Sequence, residues 1–483
     1  MKLNPDLTPR TMRRKISRVF EFAAPKILAI EKDWHPARGT PVSTIQGKYA
    51  SRGWTEWTQG FQFGAALLQY EATGEKRFLD LGREHTVKLM ATHVSHVGVH
   101  DHGFNNISTY GNLWRMMREG KVGFNQQEKD FYELALKVSG AIQASRWTSL
   151  PDDLGYIYSF NGPHSLFVDT LRSLRVLAVA HQLGHALMGE RDRKISLLKR
   201  LVQHAAATAR YNIWYGTGRD AYDIRGRTAH ESIFNLNDGS YRCPSSQQGY
   251  SPFSTWTRGL AWAILGFAEQ LEFLQTLAPS EFAPSSPGSR RKETPISSSP
   301  GATALPSTRK QTLDLLLRAA EATADFYMAN TCSDGIPMWD TGAPNLHRLG
   351  DYRERNADPF NAWEPVDSSA AAIAAQGLLR LGHYLRQAGR KADGNRYWQS
   401  GLTIAARLME EPYLSTSAGH QGLLLHSVYH RPNGWDYVPK GQRVPNGESS
   451  MWGDYHLMEL ALVLWRESRG DGYLTFFDAS RAT

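Results

Sequence analysis

A chain of 483 residues is long enough for one large domain or two ordinary ones, with a sizeable core. Its formal charge of +8 favours anionic partners, but the 55 Lys and Arg residues are dispersed and form no basic stripe, so nucleic acid is not expected as a partner. Two widely separated cysteines, Cys243 and Cys332, give neither a disulfide framework nor a cysteine metal site, and no run reaches the roughly 18 apolar residues of a membrane span.

The first twenty residues, MKLNPDLTPRTMRRKISRVF, are basic but lack an apolar stretch followed by a small-residue cleavage site. A signal peptide is therefore not expected, and a cytoplasmic location is the default reading. Beyond them the chain reads as a succession of amphipathic helices broken by glycine and polar loops, with little strand-like alternation. Residues 72–90 and 387–409 look like copies of one unit, in which a helix ends at glycine, an aromatic follows and a second helix starts. Residues 181–202 are a looser third copy. Repeated helical hairpins stack because each buries the face its neighbour cannot. Closed into a ring, they predict an all-α fold, an α/α toroid whose loops and helix ends converge on a central cavity. Residues 278–310, rich in Pro, Ser, Ala and Gly, cannot build a core and read as a disordered surface insertion. Similar hairpins on both sides make it an insertion within one domain spanning 1–483.

Three groups of residues carry chemistry. Residues 161–181 are predicted as one helix, with Pro163 in its first turn and Leu166, Asp169, Ser173, Val176 and Ala180 along one stripe. A carboxylate on an apolar stripe is expected to have a raised pKa, the state a general acid needs. Its bland alternative is an Asp that only hydrogen-bonds a neighbouring helix. The segment VHDHGF at 99–104 offers Asp101 between two histidines; without a third spaced ligand it is weak evidence for a metal, and a helix cap ahead of Phe104 is the structural alternative. Gln248, Arg258 and Trp262, with Trp256 beside them, form a suitable clamp for a carboxylate-bearing ring. Many of the 14 Trp, including Trp57, stand beside polar residues, as carbohydrate stacking requires, although any single one is as well explained as core. Asp340, Asp367 and Asp454 read as structural carboxylates at turns and helix starts, His100 and His102 as supporting or solvent-facing, and Trp256 as packing.

With WTQGF at 57–61, FVDTLRSL at 167–174, DSSAAAIAAQGLL at 367–379 and MWGDYH at 451–456, the chain resembles the unsaturated glucuronyl hydrolases of glycoside hydrolase family 88 from about residue 47 to residue 466. The resemblance implies an (α/α)6 toroid with no metal and no other cofactor. It makes Asp169 the general acid/base and Asp101, in HDHGF where the family has HDxGF, a second essential aspartate in the same pocket. Trp57 matches the stacking indole, and His230, Gln248, Arg258 and Trp262 match substrate-binding positions, Gln248 and Arg258 nearest the uronate. Two departures stand out. Gln247 occupies a position that is often His, and the loop 430–448 is longer than usual and lacks the Ser-x-x-Ser-x-Lys pattern associated with sulfate, leaving Lys440 or Arg443 as substitutes. The implied activity removes the non-reducing terminal 4,5-unsaturated uronate from oligosaccharides made by polysaccharide lyases, by hydrating the C4=C5 vinyl ether. The expected partner is that oligosaccharide, with neither nucleic acid nor membrane, for a monomer or homodimer. Alternatives are the sister activity on unsaturated rhamnogalacturonan fragments and a non-catalytic toroid that binds acidic glycans or a protein. WTRGLAW and QQGY sit closer to the glucuronyl pattern, and a binding protein has no need of an acid on an apolar stripe.

Overall fold

The computed structural model describes residues 1–52, 56–282 and 305–477. In chain order its α-helices are α1 (Arg13–Asp33), α2 (Gln59–Thr73), α3 (Lys76–Leu89), α4 (Ala91–Val94), α5 (His102–Asn106), α6 (Asn112–Arg118), α7 (Gln126–Ser145), α8 (Thr170–Ser173), α9 (Arg175–Gln182), α10 (Leu197–Tyr211), α11 (Thr257–Gln275), α12 (Arg309–Asn330), α13 (Ser368–Gln387), α14 (Lys391–Leu408) and α15 (Met451–Arg469). A π-helical turn, Ile107–Gly111, joins α5 to α6.

Burial sorts the helices into two sets. Helix α11 buries 17 of its 19 residues, whereas α1 buries seven of 21 along one stripe. A helix apolar all round belongs inside and a striped one outside. Contacts follow the same division: α2 packs on α5, α5 on α8, α8 on α11, α11 on α13, α13 on α15, and α15 returns to α2. Helices α1, α3, α7, α12 and α14 lie against members of this inner set.

The glycine punctuation read from the sequence is present in both main units. Gly74, at φ 75°, closes α2 before α3, and Gly389, at φ 82°, follows α13 before α14. These left-handed positions suit glycine. The looser third unit also turns at Gly184, then inserts a hairpin over residues 186–196 before α10. Several helix starts are capped by the Ser, Thr, Asn or Asp that precedes them. Asp367 accepts from the N–H groups of Ser369 and Ala370, and Ser450 from Gly453.

The expectation of an all-α chain is corrected by nine short strands among the described residues: β1 (Pro41–Ile45), β2 (Lys48–Ser51), β3 (Trp147–Ser149), β4 (Gly155–Ile157), β5 (Ser165–Phe167), β6 (Ala186–Met188), β7 (Lys194–Ser196), β8 (Glu231–Phe234) and β9 (Tyr241–Ser245). Most form isolated hairpins on a mainly helical body; β5, β8 and β9 make one antiparallel sheet. The predicted single helix over 161–181 is also corrected. Ser165–Phe167 pairs with Glu231–Ile233 instead, and helix begins only at Thr170. A short apolar run satisfies either structure, and the distant partner strand decides it. The ladder runs on to Val168, whose N–H donates to His230 O at 2.9 Å. Asp169 therefore stands at a strand-to-helix junction and not on a helix face.

The insertion expected over 278–310 falls largely outside the described residues. Its middle, 283–304, lies outside the described residues, while Pro279–Phe282 forms a 3₁₀ turn and α12 is already capped by Thr308, whose Oγ1 accepts from Gln311 N at 3.2 Å.

Buried ion pairs lace the inner helices together. Arg172 on α8 and Arg175 on α9 both reach Glu459 on α15, at 2.9 and 3.4 Å, and Arg172 also pairs with Glu269 on α11. Arg380 on α13 pairs with Glu272 on α11 at 2.8 Å and donates to Leu474 O at 3.2 Å, tying down the last described residues.

Two glycines admit α5 to the inner set. A Cβ on Gly60 would stand 2.4 Å from Asn105 Cα, and one on Gly103 would stand 2.0 Å from Ser173 O. Since the atom met at Gly103 is backbone, Gly103→Ala is expected to lower the unfolding free energy by about 1–3 kcal/mol or more. Chemical denaturation measures this, and an unchanged midpoint and slope would show that α5 and α8 can separate freely.

Candidate active site

A cavity of about 1290 Å³ opens at the end of the inner set where α5, α8 and α11 begin. It gathers six of the seven residues singled out from the sequence: Trp57, Asp101, Asp169, Gln248, Arg258 and Trp262. Trp57 precedes α2, Asp101 precedes α5, and Asp169 precedes α8. The pocket is thus built from the starts of inner helices.

The seventh, His230, lies behind the wall with 2% exposure. Its Nδ1 accepts the N–H groups of Gln247 and Gln248 at 3.1 and 3.4 Å, which shapes the turn that presents Gln248. Because Nδ1 accepts, the ring proton of the neutral form sits on Nε2, which has no hydrogen-bond partner among the described residues. Burial pushes the His230 pKa down to about 4, against the pull of Asp169. It is a neutral donor.

The two aspartates are both at least nine-tenths buried and share one imidazole. His100 Nε2 lies 3.4 Å from Asp169 Oδ1 and 3.7 Å from Asp101 Oδ1. Asp101 occupies the N-cap position of α5 without accepting a capping bond, so the cap reading does not describe its side chain. Their environments differ. Burial pushes Asp101 above the usual carboxylate range, outweighing His100, and the charge of Asp169 adds to the rise. Burial also opposes the ionised form of Asp169, but hydrogen bonding and charge from His100, with the Thr170 N–H, hold its pKa below that range. The expected upward shift thus falls on Asp101 and is reversed at Asp169, because a histidine distant from it in sequence supplies the stabilisation. His100 itself is raised: burial disfavours its charge, and the two carboxylates overcome that.

Arg258 differs from a free clamp. It is 1% exposed, with its guanidinium 4.7 Å from the Trp256 and Trp452 rings. Nη1 bonds Val428 O and lies 3.4 Å from Asp367; Nη2 donates to Tyr429 O at 2.9 Å and to Gln248 Oε1 at 2.7 Å. The arginine fixes Gln248, whose amide NH2 is left to face a ligand. Trp57 stacks on Trp452 at 5.1 Å and stays half-buried, keeping a face toward the cavity. Trp262 is 2% exposed and packs on Phe104 at 4.9 Å.

Sequence reasoning missed several lining residues. His100 was read as supporting or solvent-facing, although its adjacency to Asp101 was the available signal. Tyr429, His430, Asn433 and Trp435 enter from the long loop after α14, and Arg52 crosses to it, donating to Trp435 O at 2.6 Å. Lys440 and Arg443 are exposed and do not line the cavity. Asp340 and Asp454 are structural, accepting respectively from Tyr250 N at 2.9 Å and from Leu424 N at 2.7 Å. Among the described residues no group of three or more His, Cys, Asp or Glu side chains is placed to hold a metal ion, and no helix is long and apolar enough to cross a membrane.

The partners of Arg258 make a specific expectation. Arg258→Ala leaves the buried Asp367 without its cation, and breaking a buried pair costs on the order of 3–5 kcal/mol. A large loss of unfolding free energy is expected, with Lys restoring only part because it lacks the planar fork. A variant of unchanged stability and a raised KM would return the residue to a purely substrate-binding role.

No family model matches the chain. It is 24% identical over 446 residues to the unsaturated glucuronyl hydrolase of Bacillus sp. (strain GL1), covering 89% of this chain and 92% of that enzyme. It is 22% identical over 449 residues to the unsaturated chondroitin disaccharide hydrolase of Streptococcus agalactiae, covering 92% and 89%. Among solved structures, an unsaturated glucuronyl hydrolase specific for heparin superposes with a TM-score of 0.67 at 19% identity, covering 96% of this chain and 100% of that one. The Bacillus sp. GL1 structure also gives 0.67, at 21% identity and with the same coverage. In sequence along nearly its whole length, and in fold, this chain is similar to unsaturated glucuronyl hydrolases.

Proposed function

We propose that the protein is a glycoside hydrolase that removes the non-reducing terminal 4,5-unsaturated uronic acid from oligosaccharides released by polysaccharide lyases. The observation that carries this reading is the pair of buried carboxyls, Asp101 and Asp169, facing one imidazole in a cavity walled by the Trp57 indole. The cyclic order of inner-helix contacts supports an (α/α)6 toroid, and hairpins on both sides of 283–304 support a single domain.

The substrate's C4=C5 bond is a vinyl ether. Protonation at C4 uses the π pair to make a C–H bond and leaves a cation at C5 shared with the ring oxygen. Water adds at C5 and gives up a proton. The hemiketal then opens by breaking the C5–O bond, and the hemiacetal left at C1 collapses to an aldehyde and releases the aglycone. No displacement occurs at the anomeric carbon, so the two carboxyls need not straddle the glycosidic bond.

Asp169 carries both proton steps, giving a proton to C4 as the carboxyl and taking one from water as the carboxylate, as the resemblance implies; Asp101, facing the same imidazole, supports the pocket. The Gln248 amide is the donor for the substrate carboxylate, His230 holding the turn that presents it, and Trp57 is the platform for the ring.

Incubation with unsaturated chondroitin, hyaluronan and rhamnogalacturonan disaccharides, following loss of the conjugated ultraviolet band, tests the reading. Turnover of the first two is expected. Asp169→Asn, nearly isosteric but unable to take up a proton, is expected to lower turnover by about 10²–10⁴-fold without unfolding the chain. Turnover of the rhamnogalacturonan fragment alone would reassign the protein to the sister activity, and inertness toward all three would overturn the proposal.

A further inference from the structure

A second cavity, of about 360 Å³, is framed largely by the loop between Trp339 and Asp367 and shares no lining residue with the active-site cavity. Its volume falls within the range of small-molecule sites, roughly 300–1,000 Å³. The floor is uncharged: Met338 and Cys332 are buried, and burial pushes the Cys332 thiol up to about 12. Asn361 braces the loop, donating to Asp358 O at 2.7 Å and Glu364 O at 2.8 Å and accepting from Trp363 N at 2.9 Å.

Most polar groups on the wall are donors with little to donate to. Arg348, carried by the 3₁₀ turn Leu346–Leu349, lies with its guanidinium carbon 4.5 Å from the centre of the Trp363 ring. It has neither a hydrogen-bond acceptor nor an acidic partner among the described residues. Arg355 spends one N–H group on Leu349 O at 2.7 Å and likewise pairs with no acid there. Asn356 Oδ1 accepts from Ser333 Oγ at 2.8 Å, which leaves its NH2 group as a further donor. Burial raises the pKa of Tyr352, so its hydroxyl stays protonated. Asp358 is the exception on this wall: one carboxylate oxygen accepts from Phe360 N at 2.9 Å, and no described residue engages the other.

We propose that this cavity is a second saccharide site, in which Arg348 and Arg355 hold the carboxylate of a uronic acid. The inference rests on the reading above for the source of the ligand, since an acidic oligosaccharide carries uronates besides the one removed. Guanidinium forks that lack acids of their own match a planar carboxylate. Asp358 sets the class of ligand: its open oxygen accepts from sugar hydroxyls and repels an inorganic dianion. Arg348 laid flat on an indole has its fork placed in advance, so less side-chain freedom is lost on binding.

The probe is a saturated chondroitin-type disaccharide, which carries glucuronate but lacks the C4=C5 bond and is not turned over. Its binding is followed at the Trp363 indole N–H in NMR spectra of nitrogen-labelled protein, with the resonance assigned through Trp363→Phe. The Trp57 indole reports the active-site cavity separately. A saturable shift at Trp363 is expected. Combining Arg348→Gln with Arg355→Gln is expected to weaken that binding roughly ten- to a hundred-fold and to leave kcat/KM for the unsaturated disaccharide unchanged. No shift at Trp363, unaltered binding in the double variant, or an equal response to an uncharged N-acetylglucosamine disaccharide overturns the site. A parallel fall in kcat/KM also overturns it, by joining the two arginines to the active site. Tighter binding of inorganic phosphate than of the disaccharide overturns the saccharide as ligand. If the double variant fails to fold, as judged by circular dichroism, each single substitution is measured by the same criteria. Inertness of the wild-type protein toward every unsaturated disaccharide marks failure of the functional reading, whereas a silent Trp363 marks failure of this one.

Discussion

Asp101 and Asp169 can share a cavity because α5 and α8 meet backbone to backbone at Gly103 and Ser173. Ser173 Oγ accepts the Gly103 N–H at 2.8 Å and the Gln143 amide at 3.0 Å, and that amide also donates to His100 O at 2.8 Å. One hydroxyl thus ties together the element carrying Asp101, the element following Asp169 and the peptide of the histidine between them. A buried network in which each polar group is satisfied fixes a unique geometry. A proton-transfer site built on two separate helices needs that rigidity, since a shift of about 1 Å can cost on the order of 10²-fold in rate.

Deeper in the inner set the same logic operates with charge. Arg172, Arg175 and Arg380 against Glu269, Glu272 and Glu459 are nearly fully buried, and replacing such a group by well-packed apolar side chains is often neutral or stabilising. Its value lies in register. The ion pairs join α8, α9, α11, α13 and α15, so each of those helices has its rotation set by partners on others. The segment after α15 closes the arrangement, with Leu474 O accepting from Arg380 and Phe476 lying 5.3 Å from the Arg175 guanidinium.

Features written in local sequence were legible. Gly74 and Gly389 announced helix ends because only a left-handed turn fits there, and Asp367 and Asp454 read correctly as structural carboxylates from their places beside helix starts. What escaped depends on long-range partners. Residues 165–167 look helical until β8 supplies a ladder. The lowered pKa of Asp169 comes from His100, and the saturation of Arg258 from the carbonyls of Val428 and Tyr429, 170 and 171 residues away. The aromatic wall contributed by Trp435 was hidden for a similar reason, since nothing within the loop after α14 says which surface it will cover.

The inner helices are aligned as well as adjacent. Trp57 before α2, Trp256 before α11, Asp367 before α13 and Trp452 at the start of α15 all stand at or beside the cavity, so four helices of 15 to 20 residues direct their N-terminal ends toward one space. Each such end carries the equivalent of about half a positive charge. These ends add a positive contribution inside the cavity, beside Arg52 and Arg258 on its wall, that titration cannot remove. Such a contribution helps draw in a sugar acid as a whole and opposes its loss to water, while leaving hydrogen bonds to read which acid it is. Because it belongs to the backbone, point substitutions in the pocket can retune selectivity among anionic sugars without removing it.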